Sequence, residues 1–258
     1  RPLAEPIACA ALDASPDWRE RAFRLRRAAA CAETFLELHH ARRIERRAQS
    51  RVRSTSSLPA LLADFPYLDN YVSLVAAEVD ALRHTSARLG RVVVAGAGPL
   101  PLTGLWLAHT TRASVVLLDC DAHAVSTARA LVDSLETAGA IPPGRIEVVH
   151  GDVRDGIGAF EADVVLVASL VDDEAKVALA RRCRGSTRPL RLGYRGARGL
   201  VARLAYRPLP PELETELQRV GEAVPEQHPD VPGALVRMPR GVLNTLAIYT
   251  AAEEPFLV

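Results

Sequence analysis

The chain has 258 residues, 48% of them hydrophobic and 24% charged, the balance of a folded protein rather than a disordered one. Its 32 basic residues face 31 acidic ones, leaving a formal charge of +1. That excludes bulk electrostatics as a means of holding nucleic acid or a membrane surface. No apolar run approaches the ~18 residues that a membrane span needs. Lys176 is the single lysine, and the Arg/Ala-rich bias reads as a GC-rich bacterial genome rather than as function. Cys9, Cys31, Cys120 and Cys183 are scattered and form no CxxC pair, so neither a zinc knuckle nor a disulfide framework is expected. The opening stretch, RPLAEPIACAALDASPDW, lacks the continuous apolar core of a signal peptide, and a reduced cytosolic protein is expected.

Residues 19–53 contain no Gly or Pro, and Leu25, Ala28, Ala32, Phe35, Leu36 and His39 recur near a 3.6-residue period. One or two amphipathic helices follow. Their arginines could form a nucleic-acid arm, but a solvated face with arginine stems lying on the core is the commoner arrangement. Ser54–Ser57 reads as a break with a helix N-cap. A short helix near 58–63 and a longer one from about Tyr67 to Leu89 complete a helical first third.

The pattern then changes. RVVVAGAG (91–98), ASVVLLD (113–119), RIEVVH (145–150), ADVVLVAS (162–169) and RPLRLGY (188–194) are short β-branched runs. Helical stretches at about 101–109, 122–138 and 172–184 separate them. Buried β-branched runs alternating with helices predict a parallel, doubly wound sheet. Residues 210–223 read as a further helix, and 233–238 with 242–250 as a terminal β-hairpin. The expected architecture is α/β: a helical cap or lid over 1–90 and a Rossmann-like domain over 91–258.

The first strand feeds Gly96-Ala97-Gly98-Pro99-Leu100-Pro101. Glycine permits the tight strand-to-helix turn and the close approach of a ligand. A third glycine is missing from the usual place, where Pro101 stands. The prolines suit a helix's first turn but argue against pyrophosphate, which needs the free N–H groups. Asp119 ends the second strand, where a carboxylate can accept from ribose hydroxyls. Asp121, two residues on, reads as the N-cap of the next helix. Asp152, after the third strand, can accept from an adenine amino group or merely cap a turn. Together the three strand ends point to an adenosyl ligand.

These residues also carry a resemblance. GAGPLPLTGLWLA (96–108) resembles the GSGPLPLT-type loop of the nicotianamine synthase family. FPYLDNYVSLVAAEVDAL (65–82) is similar to that family's YPYYDNYxxLxxxE helix, and VVLVASLVDDEAKVAL (164–179) to its VxLAALVGxxxxEK segment. RGARGLVARLAYRP (195–208) and VLNTLAIYT (242–250) follow in family order. The resemblance implies a class I methyltransferase-type sheet that binds S-adenosylmethionine as donor, with no metal. It implies use of the 3-amino-3-carboxypropyl (aminobutyrate) arm as electrophile, with release of methylthioadenosine. The arm is either transferred to an amine, as in nicotianamine and opine-metallophore synthases, or closed on itself to azetidine-2-carboxylate.

On that reading Glu78 is the base, with Tyr71 and Tyr67 on one helix face beside it, their rings available to the sulfonium. Gly96, Gly98, Pro99, Leu100, Asp119, Asp152 and Ser169 hold the donor. Asn70 and Arg198, with Arg195 as second choice, hold its amino-acid end. A simple core or surface role competes for each of these side chains, and the histidines read as structural or solvated. Leu192-Gly193-Tyr194-Arg195 departs from the family's Arg-Ser-Ala-His-like run, which leans toward a small or absent acceptor. A conventional small-molecule methyltransferase is the alternative, and a degenerate adenosyl-binding subunit the non-enzymatic one. A small-molecule substrate is expected, with neither nucleic acid nor membrane as partner; a homodimer and biosynthetic-cluster partners stay open.

Overall fold

The computed structural model describes residues 15–50, 57–155, 161–198, 202–225, 236–238, 242 and 244–251. The chain opens with one 35-residue helix, α1 (Pro16–Ser50), followed by α2 (Leu58–Leu62) and α3 (Leu68–His84). Ser57 stands at the N-cap of α2 with extended backbone, but its hydroxyl makes no cap bond; Ser54–Ser56 lie outside the described residues.

Strands and helices then alternate: β1 (Arg91–Ala95), α4 (Leu102–Thr110), β2 (Ser114–Asp119), α5 (Ala122–Thr137), β3 (Ile146–His150), β4 (Val164–Val167), α6 (Asp173–Cys183) and β5 (Arg191–Ala197). The chain closes with α7 (Ala202–Ala205), α8 (Leu213–Glu216), β6 (Gln218–Pro225), β7 (Val236–Met238) and β8 (Asn244–Thr250). The sheet order is β3-β2-β1-β4-β5-β8-β6-β7. β1 to β5 are mutually parallel, and β8 runs antiparallel between β5 and β6.

The valine runs explain the layering. Successive strand side chains point to opposite faces. Val92 and Val94 therefore join a core shared with α2, α3, α4 and α5, while Val93 and Ala95 join a second core under α6. The first core also holds Ala41, Ile44 and Ala48 of α1, so one packed cluster runs across residue 90. The close helix–strand packing expected of a third glycine is supplied by Gly104 inside α4. A Cβ there would collide with Leu117 Cδ2.

Three expectations are corrected. Residues 210–223 are not one helix: α8 stops at Glu216 and β6 begins at Gln218. Pairing with β8 overrides the local helix propensity, through a bulge between Arg219 and Gly221. Among the described residues the expected terminal hairpin is not formed: β7 pairs in parallel with β6 rather than with β8. The fifth strand lies at 191–197, three residues later than its apolar pattern indicates.

Candidate active site

The carboxyl ends of β1, β2 and β4 open into a cavity of about 280 Å³, where the strand order reverses direction. That crevice is where open α/β sheets bind ligands. The glycine turn forms its floor. Gly96 and Gly98 have φ of +74° and +68°, in the left-handed region that favours glycine. The Gly96 and Ala97 amides both donate to the Leu118 carbonyl, at 2.9 and 3.2 Å. The Gly98 amide donates to Asp119 Oδ2 at 2.8 Å, and Asp121 N donates to Asp119 Oδ1 at 2.9 Å. Asp119 thus ties the turn to the end of β2 while still facing the cavity. Pro99, Leu100 and Ser169 line the same space, as the sequence indicates. Ser169 Oγ is buried there with no hydrogen-bond partner.

A second cavity of about 340 Å³ lies beside the first, between α1, α3, α7 and the start of β8. Glu33, Glu37, Tyr71, Tyr206 and Asn244 line both cavities and form the wall between them. Glu37 Oε2 hangs over the glycine turn, 2.7 Å from where a Gly98 Cβ would stand. Burial, with Glu33 and Asp119 nearby, pushes the Glu37 carboxyl up to about 8, against a hydrogen bond from Tyr71 that pulls it down. Burial likewise raises Glu33, whose carboxyl accepts from the Tyr206 hydroxyl at 3.3 Å. Both tyrosines are held neutral by burial and by the adjacent carboxylates. A neutral acid that can be ionised near neutrality, at the junction of two cavities, is suited to moving a proton.

Several expected residues fall elsewhere. Glu78 lines neither cavity. It is fully buried, and Arg195 donates Nε to its Oε1 at 2.6 Å and Nη2 to its Oε2 at 2.7 Å. The bidentate pair with Arg195 occupies both carboxylate oxygens, and neither faces a cavity. Arg195 Nη2 also donates to Thr103 Oγ1 at 2.8 Å, and the guanidinium lines the first cavity. Arg198 does not; it pairs with Glu222 at 2.7 Å. Arg195, the second choice in the sequence, is therefore the arginine at the site.

Asp152 caps the turn after β3, accepting from Arg154 N at 2.8 Å and pairing with the Arg154 guanidinium, which holds its carboxyl below the usual range. It is not in the lining of the first cavity. Asp121 accepts from His123 N at 2.8 Å as the N-cap of α5. Tyr71 reaches both cavities, whereas Tyr67 and Asn70 line only the second.

Glu33, Glu37, Tyr206 and Asn244 were not singled out from the sequence. The available signal lay in α1, where Glu33 and Glu37 precede the buried Ala41, Ile44 and Ala48 on one i, i+4 and i, i+3 ladder. Phe35, chosen as an apolar-face residue, is 74% exposed instead. Among the described residues no group of three His, Cys, Asp or Glu side chains could hold a metal ion, and no helix is long and apolar enough to cross a membrane.

The sheet order, the reversed strand β8 and the glycine turn define a Rossmann-like, class I methyltransferase-type fold. A model of the nicotianamine synthase protein family matches residues 6–215, and the chain belongs to that family. Nicotianamine synthase 9 of Hordeum vulgare is 32% identical over 228 residues, covering 83% of this chain and 61% of the barley protein. The chain thus spans less than two thirds of that relative. Among solved structures, a glutamate-to-glutamine mutant of MtNAS in complex with S-adenosylmethionine aligns with a TM-score of 0.63 at 23% identity, over 89% of this chain and 77% of that one. MtNAS in complex with MTA and tNA gives 0.64 at 22%, over 89% and 75%. At these identities the two structures speak for the fold.

Proposed function

We propose that this protein transfers the aminobutyrate arm of S-adenosylmethionine to an amine and releases methylthioadenosine. The observation that carries the reading is the Glu37 carboxyl, half-buried at the wall between two adjoining cavities. The first cavity takes the donor: Asp119 faces the ribose hydroxyls, the glycine turn admits the adenosyl group, and Arg195 receives the carboxylate of the arm. The Tyr71 and Tyr206 rings border the space for the sulfonium, which their faces attract. The second cavity takes the amine.

A bound amine arrives as an ammonium and is inert until it loses a proton. Glu37 accepts that proton. The freed lone pair attacks Cγ of the arm, an N–C bond forms, and the C–S bond breaks with its electron pair staying on sulfur. The sulfonium thereby leaves as a neutral thioether, so no group is needed to protonate it. Holding nitrogen, carbon and sulfur in line supplies several kcal/mol of the barrier. Glu78 and Thr103 act through Arg195 as positioning residues.

Ring closure to azetidine-2-carboxylate would use the same donor site and leave the second cavity idle; that cavity favours an external acceptor. The family membership supports arm transfer over methyl transfer. Replacement of Glu37 by Gln tests the assignment: S-adenosylmethionine should bind as before while turnover falls by ~10²–10⁴-fold, the usual worth of general acid–base catalysis. Unchanged turnover would remove Glu37 from the chemistry.

A further inference from the structure

The second cavity is uneven in its chemistry. Away from the wall shared with the donor cavity its lining is mostly apolar, with Ala29, Ala32, Leu36, Phe65, Leu74 and Val242 beside the polar side chains of Tyr67 and Asn70. Its near end, at the wall to the donor cavity, carries Glu33, Glu37 and Asn244. Asn244 Oδ1 is buried and accepts no hydrogen bond. An ammonium has three N–H donors, and three acceptors converge on that end. Among the described lining residues of this cavity there is no cation. Arg195 faces the donor cavity.

A carboxylate brought into this space would lose its water with no cation among the described lining residues to receive it, which desolvation opposes. An alkyl or aryl group would fit the apolar end. At ~30 Å³ for each water-sized group, about 340 Å³ accommodates on the order of ten non-hydrogen atoms. Resting on the arm-transfer reading above, we infer that the acceptor is a primary amine with a compact apolar body and no carboxylate, its nitrogen held by Glu33, Glu37 and Asn244. Such an amine and the sulfonium combine to give the N-(3-amino-3-carboxypropyl) amine and methylthioadenosine, and one proton passes through Glu37 to solvent.

Matched probes test this on the full chain. With S-adenosylmethionine present, 3-methylbutylamine and benzylamine are compared with leucine and phenylalanine, which carry the same bodies plus a carboxylate. Methylthioadenosine and the adduct mass are read together. The expected result is release at least tenfold faster with the two amines, each giving its aminobutyrate adduct. Ala29→Leu, which fills the apolar end, should raise the amine KM several-fold and leave the KM of S-adenosylmethionine unchanged.

Equal or better use of leucine or phenylalanine would overturn the inference and leave arm transfer standing. So would formation of azetidine-2-carboxylate at a rate that no amine alters. S-adenosylhomocysteine with a methylated amine, or no methylthioadenosine under any condition, would overturn the arm-transfer reading itself.

Discussion

Glu37 and Glu78 show how placement divides two glutamates between roles. Glu37 is raised to about 8 because burial and neighbouring acids oppose its charge. It becomes a base only as pH rises through that value. The kcat/KM profile should therefore climb between pH 7 and 9 with an apparent pKa near 8, and Glu37→Gln should flatten that limb. The same shift acts on stability. A carboxyl whose folded pKa lies above its unfolded one stabilises the fold below about 4.5 and loses that contribution as pH rises through about 8. Glu37→Gln should accordingly raise Tm more at pH 8.5 than at pH 5.

Glu78 behaves otherwise. Its pairing with Arg195 is buried on both sides, so Glu78→Ala leaves a stranded guanidinium and should cost ~3–5 kcal/mol in urea unfolding. A loss below 1 kcal/mol would mean that Arg195 finds another partner. The glutamate motif on α3 was visible in the sequence, but its partner was not. The pair joins residues 78 and 195, and no local pattern encodes a contact of that separation.

At the scale of elements, the strands were legible because parallel, doubly covered strands read as unbroken β-branched runs. The Gly96–Pro101 turn was legible because positive φ demands particular residues. α1 was legible as a helix but not in its orientation. It exposes Phe23, Leu25 and Phe35 while turning Glu33 and Glu37 toward the cavities, which inverts the usual amphipathic rule. β6 was hidden by helix-forming residues whose pairing partner lies beyond position 243. The segment after β4 holds a further element-scale device. Lys176 is fully buried on α6, and its Nζ donates to the Ser169 carbonyl at 3.2 Å. Burial lowers its ammonium to about 8. It fastens the turn that lines the donor cavity, so Lys176→Met, similar in volume but with no donor, should raise the KM of S-adenosylmethionine about tenfold with little change in kcat. Equal effects on kcat and KM would assign it to the fold at large.

For the whole molecule, the division at residue 90 that composition indicates is crossed by one packed core that holds Ile44, Leu62 and Leu82 together with Val92 and Val94. The helical segment and the sheet together enclose the second cavity, and the site depends on both. Residues 91–258 expressed alone should therefore lack a cooperative urea transition. A sharp transition equal to that of the full chain would show two independent units. On the proposed reading the reaction class also belongs to this scale, because acids of the helical segment stand beside a donor cavity built at the strand ends of the sheet. The most direct measurement uses S-adenosylmethionine labelled with ¹³C in its methyl group and ¹⁵N in its amino group, followed by mass spectrometry. The expected result is ¹³C retained in methylthioadenosine and ¹⁵N in the amine product. Appearance of ¹³C on the acceptor, with ¹⁵N left in S-adenosylhomocysteine, would contradict it.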